Sequence, residues 1–242
     1  MPVDVLAIGA HPDDIELSCG GTIAKLVQQG YKVVIADLTQ GEMGTRGSRE
    51  TRAQEAEAAS KILNVQARRN LEIPDGNIQV NQENLTKVIQ LIRELEPRLL
   101  LIPISQDRHP DHGHTHQLCK EAWFYAGLEK IATSHNGVPQ KAFRPDRYYE
   151  YMQWYESGVS FVVDVSDTFD IKMKAVRAYT SQFHNLESKE PETVLSQPEF
   201  LDLIEVRGRY YGRRIGVKYG EPFLSFFPLG IKDMFDLVQW KK

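Results

Sequence analysis

Several features that would narrow the function of this chain are missing from its 242 residues. It has two cysteines, Cys19 and Cys119, without CxxC spacing, so each is expected to be a reduced core residue of a cytoplasmic protein. No apolar run approaches 18 residues and the first residues lack the basic segment of a signal peptide, so no membrane span is expected. The net charge of -4 gives no electrostatic reason to expect nucleic acid or an anionic membrane as a partner.

The glycine-rich loops of nucleotide-binding proteins are also missing. The first apolar run is followed by GAHPDDIE instead of GxGxxG, and no GxxxxGK[ST] segment occurs. The phosphate-cradling backbone of dinucleotide and P-loop proteins is therefore absent. A non-catalytic α/β module that binds a sugar or nucleotide is kept as the alternative to the enzyme that the motifs below indicate.

Strand-like and helix-like segments alternate in the first half of the chain. Apolar runs at 3–9, 32–38, 71–73 and 99–104 predict strands, and segments with helical spacing at 22–29, 50–63, 85–95 and up to about 126 predict helices. This rhythm predicts a Rossmann-like α/β fold, a single domain over 1–242 with a mostly parallel sheet and helices on both faces. The less regular remainder predicts strands at 148–151, 161–165 and 222–227, and helices at 171–179 and 200–214.

Two short segments that follow predicted strands combine histidine with carboxylates. AHPDD occupies 10–14, and RHPDH occupies 108–112. Because an open α/β sheet gathers the carboxyl ends of its strands at one crevice, we expect the two segments to meet there. Imidazole nitrogen and carboxylate oxygen suit a divalent metal such as zinc, although they do not distinguish it from iron(II). The sequence therefore predicts a metal-dependent hydrolase.

The spacing within the first segment favours metal binding. His11 and Asp14 are three positions apart, which brings both side chains to one side of a turn that enters a helix. The alternative is that Asp13 or Asp14 caps the following helix. A metal-dependent phosphoesterase is less favoured, because a two-metal site needs more carboxylate ligands.

The second segment offers a third ligand. His112 is favoured because it lies closest to the strand end, and His116, one turn later, is its main rival. His114 and His116 are both expected on a solvated helix face. Asp111 is either a charge at the helix N-terminus or a carboxylate that orients a neighbouring imidazole.

Together these motifs resemble the LmbE/PIG-L family of zinc-dependent N-acetylglucosamine deacetylases. AHPDD, the GEMGTRGSRETR loop at 41–52, PDG at 74–76 and RHPDH occur in the family's order, and the resemblance extends over essentially the whole chain. The segments AHPDDIELSCGGTIAKL, YTSQFHN, SKEPET and GRRIGVKYGEPF are most similar to the branch that deacetylates N-acetyl-glucosaminyl malate in bacillithiol biosynthesis. The resemblance implies a small amino-sugar substrate, one Zn²⁺ per chain and a homo-oligomer, trimeric or hexameric.

The resemblance also implies the roles of the reacting groups. The zinc ligands would be His11, Asp14 and His112. Asp13 would be the general base. A protonated His109, whose positive charge Asp111 favours, would stabilise the negative charge that develops on the substrate carbonyl oxygen. Either Asp13 or His109 would give a proton to the departing amine.

Four further residues match positions where the family contacts or shapes the sugar pocket, or are candidates for the malate carboxylates. They are Arg52, Glu42, Asp75 and Arg108. Each has a plainer alternative: Arg52 pairing with Glu55 or Glu57 on its own helix, Glu42 as a loop charge, Asp75 as a turn residue and Arg108 as a surface residue. The chain departs from the family where many members have glutamate directly after the aspartate pair, since Ile15 stands there and Glu16 follows.

Overall fold

The structure is a computed structural model that describes residues 2–156, 158–185 and 188–237. Five parallel strands form the centre of the fold. They are β1 (Val5–Gly9), β2 (Val33–Asp37), β3 (Ala67–Asn70), β4 (Leu99–Pro103) and, after a separate hairpin of β5 (Ser134–His135) and β6 (Val138–Pro139), β7 (Arg147–Tyr151). Two antiparallel strands, β8 (Phe161–Asp164) and β9 (Gly220–Leu224), complete the sheet in the order β3-β2-β1-β4-β7-β9-β8. The predicted α/β fold with a mostly parallel sheet is confirmed.

Helices cover both faces of this sheet. They are α1 (Asp14–Gln28), α2 (Arg49–Leu63), α3 (Gln82–Leu95), α4 (Pro110–Ala126), α5 (Phe169–Arg177) and α6 (Phe200–Arg214), and a 3-10 turn covers Met234–Leu237. Alternate residues of β1 divide between two cores. Val5 and Ala7 pack with α1, α2, α5 and α6, whereas Leu6 and Ile8 pack with α3 and α4. Cys19 and Cys119 are free and buried in these cores, as expected.

The largest differences from the predicted element boundaries are at α1 and β3. Helix α1 begins at Asp14 instead of 22 and is kinked at Cys19, whose φ of -133° and ψ of 23° are not helical; Gly20 and Gly21 directly follow the kink and are packing positions, not a turn that ends the helix. A Cβ on Gly21 would lie 2.9 Å from the Cβ of Val165. Strand β3 covers ARRN at 67–70 instead of 71–73, since an edge strand can be polar and then lacks the apolar run that identifies buried strands. Among the described helices, none has the length and apolar character needed to cross a membrane.

Candidate metal and catalytic site

The two histidine–aspartate segments meet at the carboxyl edge of the sheet, as the sequence predicts. His11 follows β1, whereas His109 and His112 lie at the start of α4, beyond β4. The ring centroids of His11 and His109 are 4.7 Å apart, those of His109 and His112 5.3 Å, and those of His11 and His112 5.7 Å. Possible donor atoms of these three residues lie within 4.8 Å of one another.

The carboxylate of Asp14 lies between two of these rings. Its Oδ2 is 3.5 Å from Nδ1 of His11, and its Oδ1 is 3.3 Å from Nε2 of His112. The backbone N–H of His11 also donates to Oδ2, at 2.9 Å. The three predicted ligands are therefore brought together.

Each of these two histidines has its other ring nitrogen held by a second carboxylate. Asp75 Oδ1 accepts a hydrogen bond from His11 Nε2 at 3.0 Å, and Asp107 Oδ2 accepts one from His112 Nδ1 at 3.0 Å. The nitrogens left to face Asp14 are Nδ1 of His11 and Nε2 of His112. Metal-binding histidines are typically oriented in this way by an outer carboxylate. Two oriented imidazoles and a carboxylate thus form a donor set that fits a divalent metal ion.

The electrostatics of this cluster favour a cation. Burial by itself would lower the pKa of His11, but hydrogen bonds with Asp111, Asp14 and Asp75 outweigh it and hold that pKa well above its usual value. Burial likewise opposes the charge on His112, yet Asp14 and Asp107 raise its pKa to about 9. For Asp14, burial acts to raise the pKa, but the two imidazoles hold it well below its usual value. Carboxylates are present in excess around the rings, as a site for a positive ion requires.

A second possible donor group shares His11. It consists of His11, Asp75 and Asp111, whose donor atoms also lie within 4.8 Å of one another. Both carboxylates already accept backbone N–H groups, Asp75 from Met43 at 2.9 Å and Asp111 from Gly76 at 2.8 Å. The set with two imidazoles is the better match for a borderline metal such as zinc.

The structure distinguishes His112 from its rival. His116 is 5% exposed, and its Nδ1 donates to the backbone carbonyl of Pro103 at 3.0 Å, with Glu150 3.7 Å away. The expectation that His116 is solvated is wrong, because α4 packs against the sheet on that face. His114 is exposed, as expected.

Asp13 differs from the adjacent predicted metal ligand, Asp14, in its backbone conformation. Its φ of 114° lies in the left-handed region, and its side chain is buried. The nearest cation is Arg52, whose Nη2 lies 3.4 Å from Asp13 Oδ2 and also donates to the Pro12 carbonyl. Burial raises the pKa of Asp13 to about 7 although Arg52 acts to lower it. The alternative pairing of Arg52 with Glu55 or Glu57 is wrong, since Glu55 accepts from Ser181 and Glu57 pairs with Lys61.

Asp111 lies against His11 and not, as expected, against the ring of His109. Its carboxylate is 3.5 Å from His11 Nε2, and its backbone N–H donates to His109 Nδ1 at 3.3 Å. Burial, followed by the positive charges of His11 and His112, lowers the pKa of His109. The neutral ring that results carries its proton on Nε2, because Nδ1 is the acceptor.

The other predicted contacts surround a cavity of about 440 Å³ that contains the cluster. Arg52, Asp75 and Arg108 line it, and the guanidinium of the exposed Arg108 lies 4.6 Å from the centre of the Trp154 ring. Glu42 is not among the lining residues that the structure describes; its carboxylate accepts the backbone N–H of Asp75 at 3.0 Å. Its position is that of a residue that shapes the loop.

Sequence reasoning missed two polar residues of the site. Asp107 directly precedes the second motif, and its position after a buried strand was the available signal. Gln153, two residues beyond β7, donates from Nε2 to Asp14 Oδ1 at 2.7 Å. It comes from the next parallel strand end, but no local motif marks it.

Glu16, which follows the position where the chain departs from the family pattern, belongs to a buried ion cluster. Glu16 Oε1 lies 2.6 Å from Arg68 Nη1, and Arg68 also makes two contacts with Asp37, at 2.6 and 2.7 Å. This cluster joins α1 to β2 and β3. Glu16 therefore anchors the helix that begins at Asp14.

Comparisons with known proteins identify the family of this chain. Residues 6–123 match the family described as PIG-L: GlcNAc-PI de-N-acetylase. Diacetylchitobiose deacetylase from Thermococcus kodakarensis is 32% identical over 231 residues, covering 90% of this chain and 80% of that protein. The probable N-acetyl-alpha-D-glucosaminyl L-malate deacetylase 2 of Bacillus subtilis is 28% identical, covering 75% of this chain and 84% of its own length.

The fold is also that of a solved relative. The crystal structure of a conserved protein from Thermus thermophilus superposes with a TM-score of 0.84 at 37% identity, covering 95% of this chain and 97% of that one. The family match includes both histidine–aspartate segments, and the Thermococcus relative is covered over most of its length. The predicted family and enzyme class are thus confirmed: the chain belongs to the PIG-L family of de-N-acetylases.

Proposed function

We propose that this chain is a zinc-dependent hydrolase that removes the N-acetyl group of an N-acetylglucosamine conjugate, and that the conjugate is N-acetyl-glucosaminyl malate. As a member of its family the chain is a deacetylase acting on substrates of the N-acetylglucosamine type. The observation that carries the proposal is the placement of Asp14 in the lining of a cavity, between two imidazoles that are each oriented by their own carboxylate.

Three residues would hold the metal. They are His11 through Nδ1, Asp14 through its carboxylate and His112 through Nε2. Three protein ligands are typical of catalytic zinc sites, which keep one position open. When bound there, the ion supplies a Lewis acid that polarises the acetyl carbonyl and makes a water molecule more acidic.

Asp13 is placed to act as the general base. It lines the same cavity as Asp14, but its carboxylate faces Arg52 and does not contact the imidazoles within ion-pair distance among the described residues. We propose that Asp13 accepts a proton from the attacking water and delivers it to the departing nitrogen. Water is thereby divided between the two products, acetate and a free amine.

His109 is placed to stabilise the oxygen on which negative charge develops. Its Nδ1 accepts the backbone N–H of Asp111, so its Nε2–H is available to the cavity. A neutral imidazole that donates one hydrogen bond is sufficient for this role. This replaces the expected imidazolium paired with Asp111.

A second substrate is supported by a specific relative. The Thermococcus protein, named a diacetylchitobiose deacetylase, is more similar to this chain than the Bacillus malate-conjugate deacetylase is. N-acetyl-glucosaminyl malate is favoured by the resemblance of four segments, one near the start of the chain and three in its second half. The two substrates differ in the group attached to the sugar, which is anionic in one and neutral in the other.

The test is acetate release by the zinc-loaded protein from both conjugates, with metal analysis of the same sample. We expect one zinc per chain and a kcat/KM at least tenfold higher for the malate conjugate. Preference for diacetylchitobiose would overturn the substrate assignment. Full activity after complete metal removal would overturn the mechanism.

Two further expectations accompany this function. We propose that the reaction takes place in the cytoplasm, which the two free, buried cysteines support. A trimer or hexamer stays a prediction, to be checked by light scattering.

A further inference from the structure

One wall of the cavity is formed by a single face of α6. Five of its residues line the cavity at spacings of three and four, which is the period of one helix face. They are Phe200, Leu203, Ile204, Arg207 and Gly208. This wall is mostly apolar, and Arg207 is its one charged residue among those that the structure describes.

The cavity contains four cationic side chains, and three of them are already engaged or solvated. Arg52 contacts Asp13, and Lys172 is paired with Glu221 at 2.6 Å. Arg108 is exposed at the rim and lies over Trp154. Arg207 is the fourth, and it differs from the others.

Arg207 carries a donor without an acceptor. Its Nη2 is buried and has no hydrogen-bond partner in the part of the chain that the structure describes. Burial lowers the pKa of Arg207 although Tyr211 and nearby carboxylates act to raise it, and none of the described residues forms an ion pair with it. Its guanidinium lies 6.0 Å from the centre of the Tyr211 ring. A buried charged donor left without an acceptor is destabilising unless a ligand supplies one.

The neighbouring Lys172–Glu221 pair does not supply that acceptor. Glu221 accepts from the backbone N–H groups of Gly21 and Thr22, from the Thr22 hydroxyl and from Lys172. Its carboxylate oxygens are therefore occupied. The guanidinium of Arg207 therefore remains unpaired in the lining of a cavity that also contains the reacting groups.

We propose that Arg207 is a specificity-determining residue that binds a carboxylate on the group attached to the sugar, while the acetamide lies at the His11–Asp14 end. This inference rests on the proposed function for the position of the acetamide. A guanidinium matches a carboxylate with two parallel N–H donors, whereas a neutral sugar offers only hydroxyls. Arg207 thus selects anionic conjugates over neutral disaccharides.

Binding measurements test this without turnover. The zinc-loaded protein is titrated calorimetrically with glucosaminyl malate, which has no acetyl group to lose, and with methyl glucosaminide, which lacks the carboxylates. In the Arg207→Gln variant we expect at least a tenfold weaker affinity for glucosaminyl malate and less than a twofold change for methyl glucosaminide. The Arg207→Lys variant keeps the positive charge but lacks the two parallel N–H donors. Its affinity for glucosaminyl malate should therefore lie between those of Arg207→Gln and the wild type.

Arg209→Gln is the matched control on the same helix. Arg209 is exposed and pairs with Glu205, so its substitution should change neither affinity by more than twofold. Equal weakening of both ligands by Arg207→Gln, or no weakening of either, would overturn the assignment. If Arg207→Gln does not fold, as judged by zinc content and circular dichroism, Arg207→Lys decides: selective weakening of glucosaminyl malate supports the assignment, and unchanged affinity overturns it.

The two proposals fail in different ways. If the wild type releases acetate from no conjugate, the proposed function is wrong. The ligand titrations still decide whether Arg207 binds a carboxylate of the ligand. If acetate is released but the Arg207 variants keep the preference for the anionic ligand, only the role of Arg207 is wrong.

Discussion

Replacing Asp107 should weaken metal binding although Asp107 is not itself a proposed ligand. Its Oδ2 accepts from His112 Nδ1 at 3.0 Å and from the backbone N–H of Trp154 at 3.3 Å. Its Oδ1 accepts from the backbone N–H groups of Arg108 and Tyr155, at 2.7 and 3.2 Å. Both oxygens face only donors, so Asp107→Asn must direct its NH₂ group at one of them.

The size of the effect follows from these contacts. Loss of an outer carboxylate behind a metal-binding histidine typically reduces metal affinity by about 10- to 100-fold, or about 1.4–2.7 kcal/mol. In Asp107→Asn, an NH₂ group replaces one of the two acceptor oxygens. Either the His112 imidazole loses its charged acceptor, or the backbone N–H groups of Arg108 and Tyr155 lose theirs. We expect a zinc dissociation constant raised by about 10- to 100-fold, with the fold intact.

The assay is competition for zinc against a chelator of known affinity, monitored by retained metal. Activity at limiting zinc should fall with the affinity and recover when zinc is added in excess. Asp146→Asn is the control, because Asp146 is exposed and lies just before β7. An affinity within twofold of the wild type would refute the idea that Asp107 orients His112.

Three further predictions concern other parts of the molecule. Asp13→Asn should retain zinc and lose turnover by about 10²- to 10⁴-fold, measured by metal analysis and acetate release; loss of zinc would instead identify Asp13 as a ligand. Arg68→Met should destabilise the fold by about 3–5 kcal/mol in urea unfolding, because Glu16 and Asp37 are left buried without a counter-ion; a change below about 1 kcal/mol would contradict this. Burial raises the pKa of Glu150 to about 7, above its unfolded value, so the folded state binds the proton more tightly and this contribution to stability is lost as pH rises from about 4 to about 7. Glu150→Gln should therefore reduce the loss of stability between pH 5 and pH 8 by about 1–3 kcal/mol, and an unchanged pH profile would show that Glu150 ionises normally.

The parallel half of the fold was predictable because its central strands are buried on both faces. Their continuous apolar runs, such as VLAIG in β1 and VVIAD in β2, are visible without any partner. Edge strand β3 has the sequence ARRN and offers no such signal. It pairs with β2 through its backbone, and its Arg68 reaches carboxylates on two other elements.

The site was predictable where its chemistry is concentrated in short motifs, and not where single residues arrive from elsewhere. His11, Asp14 and His112 sit in two five-residue segments, and the sheet brings those segments together. Gln153 and Arg207 reach the cavity from a strand end and a helix face that carry no recognisable motif. Such contacts depend on tertiary packing, which periodicity along one chain does not encode.

Asp13 and Asp14 show how the fold assigns opposite roles to adjacent identical side chains. The left-handed backbone at Asp13 separates the two carboxylates, at the cost of a conformation that non-glycine residues rarely adopt. Asp14 faces two imidazoles, which hold its pKa below the usual value, whereas burial raises the pKa of Asp13 to about 7 despite Arg52. Two carboxyl groups whose environments move their pKa values in opposite directions are suited to different tasks. Asp14, whose lowered pKa favours the carboxylate form, suits a metal ligand, and Asp13, able to take and return a proton, suits the general base.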